Sequence, residues 1–204
     1  DHRDLHFFPT RRSSDLDWRL LYAMFERAEK WSIHAGAGHY PDADMLPIGP
    51  IRQVVDKNEK TAFNHDEQIT MMSLWSITRS PLIIGGEMTG FDGFTMKLIT
   101  NEGILRMHRN SRNARQVFKR RLGGTEFIVW TAEDCEEGIY IAVFNSGDED
   151  GRISFGTEEI ELDGRRFNST ELWSGEEAEI SERVSAEIPA HGAKVFYMRD
   201  IHCQ

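Results

Sequence analysis

The stretch I-H-A-G-A-G-H-Y-P-D-A-D-M-L-P-I-G, residues 33–49, decides how the rest of the chain is read. It places two carboxylates, Asp42 and Asp44, two positions apart in a segment interrupted by Gly36, Gly38, Pro41 and Pro47. Glycine permits backbone conformations closed to other residues, and proline fixes φ and removes a donor, so the segment is a stiff loop and not a helix. A stiff loop that aims acids suits a polar binding site. The alternative is that Asp42 only closes a turn, as Asp beside Pro often does.

The longer string resembles the G-x-W-[NP]-D-x-D-M-L-x-x-G signature of glycoside hydrolase family 27, retaining α-galactosidases and α-N-acetylgalactosaminidases built on a (β/α)8 barrel. The match runs through Gly38, Tyr40, Pro41, Asp42, Asp44, Met45, Leu46 and Gly49. Tyr40 stands where the family most often has Trp, and Pro41 where it often has Asn. The resemblance implies that Asp44 and Met45 line the pocket for the sugar being cleaved. It also implies that Tyr40 supplies an aromatic contact and that Asp42 shapes the loop.

Composition agrees with such a role. The chain has 204 residues, 39% of them hydrophobic, which is enough to bury a core. A formal net charge of −10 argues against nucleic acid or an anionic membrane as the main partner, because both select basic patches. A neutral oligosaccharide or glycoside is compatible. Cys135 and Cys203 are too far apart in sequence to argue a disulfide framework or a zinc ligand set, and both read as free thiols. No metal or cofactor is called for, and no apolar run reaches the roughly 20 residues that span a bilayer. The first residues lack the apolar core of a secretory signal, so no compartment is assigned. Oligomeric state is likewise unassigned.

Residues 1–16 show no sustained period, and their run F-P-T-R-R-S-S-D-L resembles translated sequencing-adaptor sequence. They are read as a non-native tail outside the fold. Trp18, Leu21, Phe25 and Ala28 then repeat at helical spacing, predicting an amphipathic helix over 17–31 whose other face, Arg19, Glu26, Arg27, Glu29 and Lys30, is solvated. Residues 32–37 suit a barrel strand ending at the acidic loop, where (β/α)8 enzymes place their chemistry. Asn64 with Glu67 makes a capping box for a buried helix over 66–79. After Pro81, Leu82 to Ile84 read as a parallel strand covered on both faces. The segment W-S-I-T-R-S-P-L-I-I-G-G, residues 75–86, resembles a second family element, the seventh helix running into the eighth strand. Two short helices follow over 94–111, with Asn101 capping the second, and the barrel is expected to close there.

Beyond it the period becomes two. Residues 125–132, 138–145, 152–160, 167–173 and 184–198 read as strands separated by turn residues, an antiparallel sandwich. His191 is read as a turn residue before Gly192. The expected fold is therefore α/β plus all-β: residues 17–111 as the C-terminal part of a (β/α)8 catalytic barrel and residues 112–204 as a β-sandwich domain.

Retaining hydrolysis needs two carboxyl groups about 5 to 5.5 Å apart, a nucleophile and an acid that then acts as base. The family's nucleophile is the Asp of a K-x-D motif, and no Lys here is followed two places later by Asp. Its acid/base Asp belongs to an R-x-x-x-D-[IL] motif, which Arg11, Asp15 and Leu16 fit, although Asp15 lies two residues nearer to Trp18 than is usual. The motif offers Asp15 as the acid/base and Arg11 as a substrate-binding residue, both inside the adaptor-like string, in a chain that is expected to begin near the sixth barrel helix and to be inactive by itself. Galactose and N-acetylgalactosamine both remain open as substrates, because the loop that reads the 2-substituent belongs to the other half of the barrel. Two rivals stand beside this reading. A D-x-D glycosyltransferase would use Asp42 and Asp44 to hold a divalent cation. A carbohydrate-binding module would need Trp130, Tyr140, Trp173 and Tyr197 exposed on one strand face.

Overall fold

From Ser111 onward the side chains alternate between two apolar faces, and the backbone follows them into strands. The computed structural model describes residues 17–51, 59–162 and 165–201. Among these, the strands are β1 (Ser111–Leu122), β2 (Thr125–Asp134), β3 (Ile139–Asn145), β4 (Gly151–Gly156), β5 (Phe167–Glu171), β6 (Glu177–Ile180), β7 (Arg183–Ile188) and β8 (Ala193–Asp200). Six form one antiparallel sheet in the order β1-β2-β3-β8-β5-β6, and β4 pairs with β7 in a second.

Period two explains where the core sits. In β2, Phe127 and Val129 join Ile153, Phe155, Val184 and Ile188 of the small sheet in one buried cluster. Ile128, Trp130 and Ala132 join Tyr140, Ala142, Phe144 and Val195 in a second cluster, shared with the helices. The central strands are thus buried on both faces. That is why F-I-V-W and I-A-V-F are unbroken apolar runs and not alternating ones. The expected sandwich is present, with a helical layer on its outer face.

Three features of the sandwich depart from expectation. β1 was not foreseen, because R-N-A-R-Q-V-F-K-R-R carries charge where a strand pattern calls for apolar groups. It is an edge strand with two register shifts, and its cations meet Glu133, Glu161, Glu126 and Glu159. The short acidic β6 on the opposite edge was also missed. The run over 152–160 divides into β4 and a 3-10 turn at Thr157–Ile160, and the run over 184–198 divides into β7 and β8. His191 makes that second division, with φ at 59°.

The helices are α1 (Trp18–Ser32), α2 (His65–Ile77), α3 (Gly93–Ile99) and α4 (Glu102–Asn110). Asp17 caps α1 by accepting from the amides of Arg19 and Leu20, and Phe25 packs edge-on against Phe144 at 4.9 Å. In α2 both halves of the capping box form: Asn64 accepts from the Glu67 amide and Glu67 from the Asn64 amide, each at 2.9 Å. Asn101 caps α4 and donates to the Leu172 carbonyl at 2.8 Å, tying the helices to the sandwich.

The two expected barrel strands are not formed. α1 continues through Ser32, successive turns follow at His34 and Ala35, and Ile33 is 81% exposed. A strand needs neighbours to accept its backbone groups, and the pairing in this segment is confined to Gly36 with His39. Leu82 to Ile84 contribute one parallel bridge, between Ile84 and Leu46. α2 stops at Ile77, before the predicted Arg79, where the chain enters a left-handed turn with φ at 58°.

Candidate functional site

The acidic loop is held at the end of the Leu82–Ile84 run. The Leu46 amide donates to the Ile83 carbonyl at 2.8 Å, and the Gly85 amide donates to the Leu46 carbonyl at 2.9 Å. The Gly85-Gly86 pair permits this approach: a Cβ on Gly86 would lie 2.1 Å from the Ile48 carbonyl oxygen. The end of α2 holds the loop from below. The Ala43 amide donates to Ser80 Oγ at 2.9 Å, and Trp75 Nε1 donates to the Asp44 carbonyl at 2.8 Å. Trp75 and Ser80 are both buried, so these two bonds anchor the loop backbone to the core.

Within the loop, Asp42 Oδ1 accepts from the Asp44 amide at 2.9 Å and Asp44 Oδ1 from the Met45 amide at 2.7 Å. Asp44 takes φ of 76°, a region Asp enters more readily than most residues. Each acid therefore spends one oxygen on the turn, and both residues are exposed. Met45 is 54% exposed, an unusual placement for an apolar side chain. The half-buried Tyr40 lies under the Arg79 guanidinium, 4.4 Å from its ring centre. Exposed carboxylate oxygens can accept from sugar hydroxyls, while Met45 and the Tyr40 ring offer surface to the C–H face of a pyranose.

Of the residues singled out from the sequence, Tyr40, Asp42, Asp44 and Met45 lie together on this loop. Arg11 and Asp15 lie outside the described residues, as does Cys203, while Cys135 is a free, exposed thiol. Three supporting residues were missed. Ser80 holds Ala43. His108 Nε2 donates to the Ser80 carbonyl at 2.8 Å, and burial holds its imidazole below the ordinary range. Arg79 covers Tyr40 and donates from Nη1 to the Ser111 carbonyl at 2.7 Å. The available signal was a cation, Arg79, just past the end of a mostly buried helix.

Residues 124–198 match the family of α-galactosidase C-terminal β-sandwich domains. The chain is 27% identical to α-galactosidase D of Emericella nidulans, covering 90% of this chain and 26% of that protein. It is 20% identical to α-galactosidase 2 of Arabidopsis thaliana, covering 88% and 43%. Among solved structures it is similar to the family 27 β-L-arabinopyranosidase of Geobacillus stearothermophilus, at 36% identity and a TM-score of 0.84, over 92% of this chain and 43% of that one. A variant of that enzyme has been solved in complex with arabinose. The chain thus spans less than half the length of these relatives. The sandwich domain and the relatives together support glycoside hydrolase family 27, with this chain corresponding to a C-terminal part of such a protein.

Proposed function

We propose that residues 17–111 are the closing part of a (β/α)8 barrel, that residues 112–204 are its sandwich domain, and that the Asp42–Met45 loop is one wall of an exo-acting retaining glycosidase pocket. The observation that carries this reading is the docking of the loop against Ile83 and Gly85, at the C-terminal end of a parallel strand position. Asp44 and Met45 contact the sugar, Tyr40 packs against it, and Asp42 orders the turn. Arg11 and Asp15 fit the family's acid/base motif by sequence, Asp15 as the acid/base and Arg11 as a substrate-binding residue, within the stretch read as a non-native tail. The capturing carboxylate has no counterpart in these residues, so the chain alone does not turn over.

The substrate is a terminal α-galactosyl or α-N-acetylgalactosaminyl residue. A β-L-arabinopyranoside, which has the galactose ring without its hydroxymethyl group, is a second reading favoured by the arabinopyranosidase relative. The likeness to family 27 glycosidases speaks against the glycosyltransferase alternative. The binding-module alternative loses its platform, because Trp130 and Tyr140 are buried and Trp173 is turned to donate to Ser73 Oγ.

Aryl α-galactoside, α-N-acetylgalactosaminide and β-L-arabinopyranoside should all be unhydrolysed by the purified chain. Turnover above an Asp44→Ala control would overturn the missing-nucleophile reading. Saturation transfer from Met45 and Tyr40 to free galactose, lost in Asp44→Ala and absent for glucose, is expected for the wall. Equal transfer to both sugars would remove it.

A further inference from the structure

We infer that Arg79 is a positioning residue for this sugar wall: it sets which face of the Tyr40 ring is open and fastens that ring to the first strand of the sandwich. The inference rests on Tyr40 belonging to the wall. Three observations carry it. Arg79 sits at φ 58°, a conformation residues with a Cβ avoid and for which glycine is the usual choice. Its side chain therefore does something there that glycine could not. The guanidinium lies 4.4 Å from the Tyr40 ring centre while Nη1 donates to the Ser111 carbonyl at 2.7 Å. A planar guanidinium can stack by its face and donate from its edge at once, which a lysine ammonium cannot.

Ser111 is itself fixed, since it begins β1 and its amide donates to the Met107 carbonyl at the end of α4. The next residue, Ser80, holds the loop backbone through the Ala43 amide. The Arg79-Ser80 pair thus grips both the ring and the backbone of the wall. One face of Tyr40 is covered by the guanidinium, so a sugar can pack only on the other. The sandwich then contributes to the pocket through the α4–β1 junction, without touching sugar.

The test uses the whole chain and the aromatic NMR signals of Tyr40. Arg79→Gly removes the guanidinium while suiting the local backbone, so the fold is kept. Arg79→Ala removes it without relieving φ, and Arg79→Lys keeps the charge. Glycine and alanine variants should both shift the Tyr40 ring resonances and the amides of residues 42–45, with lysine restoring part of the shift. Saturation transfer to galactose should fall roughly twofold to fivefold, the range of an exposed cation–π contact. Unchanged Tyr40 resonances in both Arg79→Gly and Arg79→Ala would overturn the inference, whatever galactose does. A lowered melting temperature with Tyr40 unmoved would also overturn it, leaving Arg79 a purely structural residue. Shifted resonances with no galactose signal on wild-type Tyr40 would uphold the positioning role and remove the sugar-wall reading instead.

Discussion

The ring of His191, in the β7–β8 turn, lies flat on the indole of Trp18 at the start of α1, with 3.9 Å between centroids and 9° between planes. Its nitrogens reach Glu67 at 2.9 Å and Asp148 at 3.0 Å, so one turn residue clasps α1, α2 and the β3–β4 loop. A double-mutant cycle of Trp18→Ala and His191→Ala should give a coupling of about 0.5–1.5 kcal/mol in urea unfolding, the range of aromatic pairs. Additive losses would show that the stack contributes nothing to the joint between helices and sandwich.

Trp75→Phe keeps an aromatic ring in the core but leaves the Asp44 carbonyl without its 2.8 Å donor. Stability should fall by about 1–3 kcal/mol, the cost of orphaning a part-buried polar group. Amide exchange should speed up over residues 43–46 before it does in β2 or β3. Exchange that accelerates uniformly would mean that the indole packs without steering the loop.

Burial holds the His108 imidazole below its ordinary value, the Ser80 carbonyl opposes this in part, and Arg79 and Arg109 reinforce it. The unfolded chain therefore takes up a proton near pH 6.5 while the native chain still does not. By linkage, His108 leaves stability intact above about pH 6.5 and lowers it as the pH falls below that value. His108→Gln, which retains a donor for Ser80, should flatten part of the fall in melting temperature between about pH 7 and about pH 5. An identical slope in wild type and variant would exclude His108 as its source.

Tyr140 donates to Asp134 Oδ2 at 2.5 Å, with both residues buried, and Arg106 approaches the same oxygen at 3.3 Å. Burial and the neighbouring carboxylate push the Tyr140 phenol well above its ordinary range, so it stays a donor at any working pH. Tyr140→Phe strips a buried carboxylate of one partner and should cost about 1.5–3 kcal/mol by urea unfolding. A loss below about 0.5 kcal/mol would mean that Arg106 and the Glu136 amide satisfy Asp134 without the phenol.

The parts of this fold legible in the sequence are those governed by neighbours in the chain. Asn64 with Glu67, and Asn101 ahead of Ile104, specify helix starts because an amide a few residues away needs an acceptor, whatever the rest of the molecule does. Runs such as Phe127 to Trp130 specify central strands because β-branched and aromatic groups suit a pleated surface. The Gly- and Pro-punctuated loop bearing Asp42 and Asp44 is likewise a local matter of allowed dihedrals.

Only the tertiary structure decided the rest. The charged β1 becomes a strand because Glu133, Glu161 and Glu159 arrive from elsewhere to meet its arginines. Residues 32–37, although semi-apolar, do not become one, because among the described residues their pairing is confined to the bridge between Gly36 and His39. The grip of Arg79 on Tyr40, of Trp75 on Asp44 and of His191 on Trp18 joins residues distant in the chain. No periodicity encodes such pairs: the entropy of closing long loops is offset only when the whole core forms, so the partners are chosen by the fold and not by the local sequence.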